Sequence, residues 1–410
     1  MKRVSTIFCD RQQVEECSNS LAHELGNGKW VELLPKNTNQ NFSKRIISTQ
    51  EVGIIINGGG SSGINKQCLH PCSNLDKSAL ATAQWLERQG LKPQECQIIN
   101  PLPLHHVSGL LPWWRSRCWN TNHIWITPKL INNPRLLMET SHYLIDKGLG
   151  PMLTSLVPTQ LTRLIQHPEG LNWLKLFSVI WVGGSAIPEN LAERARNLEL
   201  QLAPCYGTTE TAAMVSIQSP KDFLSGINSL GEPLSDVELR IGKSNALQIR
   251  TQRLAKVLNK DGSLQSLGDK EGWWESGDNA ELILSHHVQQ LSIIGRRDTA
   301  INSGGEIIFP EKLQARLLNA AQKNGIAIKR ILMLSTKDEE WGERLVALVR
   351  FKTTKQTNPH QSLQKLKRLT EEWPCFERPI QWHNCPELSP NQLGKWEITK
   401  WQSWLEAKES

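Results

Sequence analysis

The sequence predicts an α/β protein: a large N-terminal region of mixed, mostly parallel sheets and helices, followed by a small α+β unit. Three observations predict it. Short β-branched runs alternate with helical patterns between residues 50 and 215, as in a parallel sheet covered on its faces. After Gly231 short strands follow one another without helices, which is an antiparallel texture. From residue 299 onward strand and helix mix again, over a length that suits a small second domain.

Residues 1–50 are polar and rich in Gln and Asn, with few clear periods. They match nothing recognisable. Val52-Gly-Ile-Ile-Ile56 reads as a short buried strand broken by Asn57 and the glycines after it. Ser78–Gln89 has helical spacing, with Leu80, Ala83 and Leu86 on one face. Strands are expected over Gln97–Leu102, Pro151–Val157 and Phe177–Val182, the last ending at Gly183-Gly184. Helices are expected over Thr159–Gln166 and Pro188–Leu198, where Pro suits the first turn. Val237–Ile241, Leu247–Ile249 and Ala280–Leu284 read as antiparallel strands. Ile331–Leu334 and Leu345–Val349 read as strands, and Glu311–Asn324 as a helix. The boundary falls at Arg297–Thr299, giving domains 1–297 and 298–410.

Composition excludes several classes. With 410 residues, 39% hydrophobic and 21% charged, the chain builds a packed core. The net charge of +7 comes with no dense Lys/Arg block, so a nucleic-acid partner is not expected. No apolar run reaches the roughly 18 residues of a transmembrane helix. Met1–Arg11 lacks the apolar stretch of a secretory leader. Nine scattered cysteines without a C-x-x-C point to a reduced, cytoplasmic protein. Cys68, His70 and Cys72 cluster, but no second ligand pair completes a zinc site.

Four segments carry chemistry. Gly58-Gly-Gly-Ser-Ser-Gly-Ile-Asn-Lys66 follows the first buried strand. Its glycines let backbone approach a phosphate, and its hydroxyls and Lys66 supply donors and charge. It is not a Walker A loop, because Ile64 and Asn65 separate the last glycine from the lysine. Tyr206-Gly-Thr-Thr-Glu-Thr211 combines a flat ring, hydroxyls and a carboxylate able to hold a hard cation. Ser276-Gly-Asp278 offers a carboxylate to vicinal ribose hydroxyls, and Gly295-Arg-Arg-Asp298 offers guanidinium groups to the same sugar or a phosphate. Asn391-Gln-Leu-Gly-Lys395 ends the series. Each segment alone also reads blandly, as a flexible turn, a polar loop or a solvated lysine.

In this order, from about residue 50 to about residue 400, the four segments resemble the adenylate-forming superfamily of acyl-CoA synthetases, luciferases and peptide-synthetase adenylation domains. The resemblance implies the adenylate-forming enzyme fold and ATP, Mg²⁺ and CoA as cosubstrates and cofactor. It implies that Ser61, Ser62, Gly63 and Lys66 hold the β- and γ-phosphates. Tyr206 and Gly207 would meet adenine on one side, with Gly184 and Ser185 on the other. Thr209 would touch phosphate and Glu210 would bind Mg²⁺. Asp278 and Arg296 would hold the ribose, Asp298 would be the hinge, and Lys395 would bridge the acyl carboxylate and the α-phosphate. Departures from the family pattern are Gly58-Gly59 for Thr-Ser, Asn65 for Pro, Asn245-Ala246 for Gly-Glu, and Ile398 for Arg.

Within that superfamily, Leu102–Leu110, Ser155–Leu161 and Ile301–Glu306 look most like the o-succinylbenzoate–CoA ligases of menaquinone and phylloquinone biosynthesis. That resemblance implies a small carboxylic-acid substrate, 2-succinylbenzoate. His106, Ser108, Ser303 and Gly304 are the acyl-pocket candidates, although His105 and His106 also read as core histidines. Loading of a carrier-protein thiol, a non-catalytic nucleotide-binding role and homodimerisation stay open.

Overall fold

The computed structural model describes residues 1–38, 46–58, 66–146, 150–259, 262–285, 288–352, 358–391 and 396–409. Two seven-stranded sheets form the body of the large region. In the central sheet, Leu202–Thr208, Phe177–Val182, Met152–Leu156, Gln97–Asn100 and Asn122–Trp125 run parallel in that order. Ala213–Ile217 and Glu232–Pro233 extend it antiparallel beyond Leu202–Thr208. Alternate residues feed two cores. Ile98, Leu153, Val179 and Trp181 pack on one face against Trp85 and Leu86. Ile99, Leu156, Ile180 and Val182 pack on the other against Leu161, Leu164 and Trp173. Burial on both faces is why these strands read as nearly continuous apolar runs.

The N-terminal sheet pairs Lys2–Cys9, Trp30–Pro35 and Gly53–Gly58 in parallel, then Lys66–Pro71 antiparallel. The first two strands are joined by the helix Val14–Gly26, so residues 1–35 form a βαβ unit where the sequence showed few clear periods. The signal is weak for a physical reason. The helix buries only Cys17, Ser18 and Leu21, a stripe too narrow and polar to register as periodic. Lys2–Cys9 is mostly half-exposed.

Other boundaries also shift. The helix expected from Ser78 starts at Cys72, and its inner face carries Leu75, Ala79, Thr82 and Leu86. Leu80 is exposed, so the expected face was rotated. Val107–Trp119 is helical despite Gly109 and Pro112 inside it, two breakers that concealed it in the sequence. The strands expected at Val237, Leu247 and Ala280 belong to a four-stranded antiparallel sheet of Val237–Ile241, Ala246–Thr251, Trp273–Ser285 and Val288–Arg296.

Residues 301–409 hold a five-stranded sheet in which Gly342–Phe351 pairs with Ile328–Asp338, Ile301–Ser303 and Gln381–Asn384. It has a core on each face, around Leu345, Ala347 and Val349 on one side and Val346, Leu348 and Trp401 on the other. The helix Pro310–Lys323 meets the large region where Asn190 Nδ2 donates to Gln322 Oε1 at 2.8 Å. No helix among the described residues is long and apolar enough to cross a membrane.

Candidate active site

The segments that follow the carboxyl ends of the parallel strands converge on one cleft. Gly58, His106, Val157, Gly184 and Thr208 all line it, as expected for ligand sites of open α/β sheets. The cleft continues between the large region and the C-terminal unit and has a volume of about 2670 Å³. That exceeds the roughly 300–1,000 Å³ of a pocket for one small molecule.

At one end of the cleft, the register sets Asp278 opposite Arg296 across two antiparallel strands. Tyr206 Oη donates to Asp278 Oδ2 at 2.5 Å. Burial lifts the Asp278 carboxyl above its ordinary range, while Tyr206 and Arg296 pull it back. Burial, reinforced by Asp278, pushes the Tyr206 phenol well up, so it stays a proton donor. The Arg296 guanidinium lies 3.6 Å from Asp278 and grips Asp298 with two hydrogen bonds of 2.9 and 3.0 Å. Asp298 foremost, and then Asp278, keep Arg296 firmly cationic. Tyr206, Asp278, Arg296 and Asp298 are thus one connected group, all lining the cleft. Gly184 and Ser185 line it as well, Gly184 at φ +86°, where a side chain would be strained. Gly207 has no room for one: a Cβ would stand 2.3 Å from the Ala213 carbonyl oxygen.

Thr209 and Glu210 open into the same cleft from a short 3₁₀ turn. His106 and Ser108 line the wall at the start of the helix Val107–Trp119. His105 instead takes the core role, buried and held down to about 4 by loss of solvation. About two turns of helix deeper lies a residue that sequence reasoning missed. Arg115 lines the cleft yet is only 2% exposed, and its guanidinium sits 5.4 Å from the Trp181 ring. Its Nε and one terminal nitrogen find no acceptor among the described residues. Burial, with Arg253 adding to it, draws it from 12.5 down to about 9. Nothing in the sequence distinguished it from Arg117 two residues on.

The structure does not bring Ser303 and Gly304 to this wall. Ser303 is buried in the C-terminal sheet opposite Gly342, and Gly304 packs under the Trp341 ring. Strand pairing holds that turn within its own unit, away from the cleft lining. Ser61, Ser62, Gly63 and Lys395 lie outside the described residues, as does the Lys66 side chain. Asn391 and Trp396, to either side of Lys395, line the cleft. The Cys68–Cys72 cluster has its own explanation, since buried His70 donates from Nε2 to the Thr209 carbonyl at 2.7 Å.

A sequence model of the AMP-binding enzyme family matches residues 3–251. The chain belongs to the AMP-binding enzyme family. The match begins within the first strand, so residues 1–50 are family sequence after all. The 2-succinylbenzoate–CoA ligase of Escherichia coli (strain K12) is 28% identical over 327 residues, covering 80% of this chain and 63% of that protein. Its counterpart in Salmonella typhimurium is 28% identical over 347 residues, covering 84% and 67%. The indoleacetate–CoA ligase of Aromatoleum aromaticum is 26% identical over 266 residues, covering 62% and 49%. The chain thus spans about two thirds or less of the length of these curated relatives. Among solved structures, the o-succinylbenzoate CoA synthetase of Bacillus subtilis in complex with ATP and magnesium superposes with a TM-score of 0.69 at 17% identity, covering 97% of this chain and 89% of that one. The E. coli enzyme with a bound acyl-adenylate analogue gives 0.63 at 23% identity, covering 95% and 80%. These likenesses establish the adenylate-forming fold.

Proposed function

We propose that the chain is an AMP-forming acid–thiol ligase that activates 2-succinylbenzoate with ATP and passes the acyl group to CoA. The observation that carries the substrate is Arg115. A buried guanidinium with two nitrogens unsatisfied is expensive to keep charged, and a carboxylate brought by the ligand would complete it. A substrate with one carboxylate to react and a second to anchor satisfies that demand, and 2-succinylbenzoate has both. The ring carboxylate would meet Arg115, with His106 and Ser108 at the wall, and the succinyl carboxylate would react. The Ser303-Gly304 turn is not part of this anchor. The names of the bacterial relatives support the same substrate.

In the first half-reaction a succinyl carboxylate oxygen attacks the α-phosphorus of ATP, and the bond to pyrophosphate breaks. In the second, the CoA thiolate attacks the acyl carbon, and the bond to AMP breaks. Tyr206, Gly207, Gly184 and Ser185 bind adenine, and Asp278 with Arg296 binds the ribose. Ser61, Ser62, Gly63 and Lys66 cradle the outer phosphates, and Lys395 bridges the reacting carboxylate and the α-phosphate. Glu210, with Thr209 beside it, would hold a magnesium ion, since such sites need only one or two protein carboxylates. When bound, that ion offsets phosphate charge.

Residues 1–297 and 298–410 act as two domains joined at Asp298. Support comes from the separate cores of the C-terminal unit. It comes also from the two faces of that unit: the neighbours of Lys395 line the cleft while the Ser303-Gly304 turn does not. All nine cysteines are free, which supports a reducing compartment, the cytoplasm.

The test is pyrophosphate release and CoA-thioester formation with 2-succinylbenzoate, benzoate, a medium-chain fatty acid and an amino acid. The highest kcat/KM is expected for 2-succinylbenzoate. A higher value for benzoate or the fatty acid overturns the substrate assignment and leaves the reaction class standing.

A further inference from the structure

The turn that presents Thr209 and Glu210 is held from behind by an unbroken series of donors. Buried His70 donates to the Thr209 carbonyl at 2.7 Å, and the Ala255 amide to the Glu210 carbonyl at 2.7 Å. Arg253 donates to the Thr211 carbonyl at 2.6 Å and the Met214 carbonyl at 2.7 Å. Ser78 Oγ donates to the Ala212 carbonyl at 2.6 Å, and Thr211 Oγ1 to the Ala213 carbonyl at 2.8 Å. Every carbonyl from 209 to 214 is therefore satisfied on the side away from the cleft. Within the run, Ala212 and Ala213 have φ of 51° and 82°, a conformation that persists only when the surroundings impose it.

Arg253 is tied in turn to Asp236, and His70 to the strand beside the phosphate segment. His70 lies on Lys66–Pro71, the strand that leaves the glycine-rich phosphate segment, and pairs there with Ile54 on the strand that enters it. Its Nε2–H therefore ties the phosphate segment's own strand to the turn that carries Glu210. The ring is buried and held down to about 4 by loss of solvation, so at neutral pH it is uncharged. A neutral imidazole carries one N–H, and the hydrogen bond to a carbonyl places it on Nε2.

We propose that His70 is a positioning residue for the adenylation step, fixing the Thr209-Glu210 turn to the strand Lys66–Pro71. This rests on the reading of Glu210 as the magnesium carboxylate and of residues 58–66 as the phosphate segment. His70 touches no substrate. It acts through the Thr209 backbone, so its loss should alter charge neutralisation on the phosphates and spare acyl transfer from a finished adenylate.

The experiment compares His70→Leu and His70→Gln in the full chain. Glutamine places an amide N–H near the Nε2 position, and leucine has none. Acid-dependent ATP–pyrophosphate exchange is measured against Mg²⁺, and thioester formation is measured from preformed acyl-adenylate and CoA. His70→Leu should lower the exchange kcat about tenfold, the usual scale for one lost hydrogen bond, leaving the Thr209 carbonyl only the Ala212 amide at 3.3 Å, and raise the Mg²⁺ requirement. The KM for the carboxylic acid and the transfer rate should stay near wild type, and His70→Gln should recover most of the loss. Wild-type exchange in His70→Leu, equal loss in both variants, or equal loss in both half-reactions overturns the proposal. If His70→Leu does not fold, Ser78→Ala removes the neighbouring donor alone. It should slow exchange without slowing transfer, and unchanged exchange is again contrary. Glu210→Gln separates the two readings. If it exchanges like wild type, the magnesium assignment itself falls, whereas a defective Glu210→Gln beside a normal His70→Leu overturns only the role of His70.

Discussion

Replacing Arg115 by methionine should damage catalysis and stabilise the protein at once. Methionine keeps an unbranched stem and removes the charge together with the guanidinium donors. At neutral pH the folded protein holds this guanidinium protonated in a site that favours its neutral form. The descent from 12.5 to about 9 corresponds to about 5 kcal/mol, at 1.36 kcal/mol per pH unit. That is an upper bound, because the chain relaxes. Arg115 is 2% exposed, so solvent screening does not reduce it. The sign follows from proton binding. Between about 9 and 12.5 the unfolded chain holds a proton that the folded chain has released, so stability climbs with pH across that window. Below it both states are protonated and the penalty is constant, so Arg115→Met at pH 7 should gain stability on the order of 1–5 kcal/mol.

The catalytic effect runs the other way. Removing one partner of a buried charge pair costs about 2–5 kcal/mol, which is roughly 30- to 5,000-fold in kcat/KM for 2-succinylbenzoate. The analogue 4-oxo-4-phenylbutanoate keeps the reacting chain and lacks the ring carboxylate, so its kcat/KM should hardly change. Pyrophosphate release with both acids, together with a thermal melt of the ligand-free protein, measures all three quantities. Equal losses for the two acids, or a melting temperature lowered by several degrees, would refute the anchor.

Lys395→Ala should slow adenylate formation about 100-fold or more, as for a lost electrostatic donor, and leave transfer from preformed adenylate to CoA nearly unchanged; equal loss in both steps assigns the lysine a structural role. Asp298→Pro fixes φ near −65° and frees Arg296 from its two hydrogen bonds. It should slow thioester formation while sparing adenylation, and wild-type thioester formation moves the hinge elsewhere. Burial holds His70 and His105 down to about 4 and His123 to about 3. As pH falls below 6.5 the unfolded chain takes up protons that these rings refuse, so stability should fall by up to about 1.4 kcal/mol per pH unit for each. Urea midpoints between pH 7 and 4 check this, and His123→Leu should flatten the slope.

The adenylate-forming fold and the family were legible in the sequence, because both rest on local signals. The strand Phe177–Val182 reads directly, since a strand buried on both faces must be apolar throughout its length. The motifs around Tyr206, Asp278 and Arg296 read in order, since each packs its chemistry into a few neighbouring residues, and the fold then joins them through one hydrogen-bonded group. The βαβ unit of residues 1–35 stayed hidden because its helix buries too little apolar surface to set a period. Only the tertiary structure decided which polar residues face the cleft. Ser303 and Gly304 have suitable chemistry, yet strand pairing and the Trp341 ring keep them from its wall. Arg115, His70 and Arg253 carry no motif, and what marks them is burial and the presence or absence of a partner. His70 reaches a carbonyl 139 positions away and Arg253 one 42 positions back. Such contacts exist only once the chain has folded, so their energetics are set by distant segments rather than by neighbours in sequence.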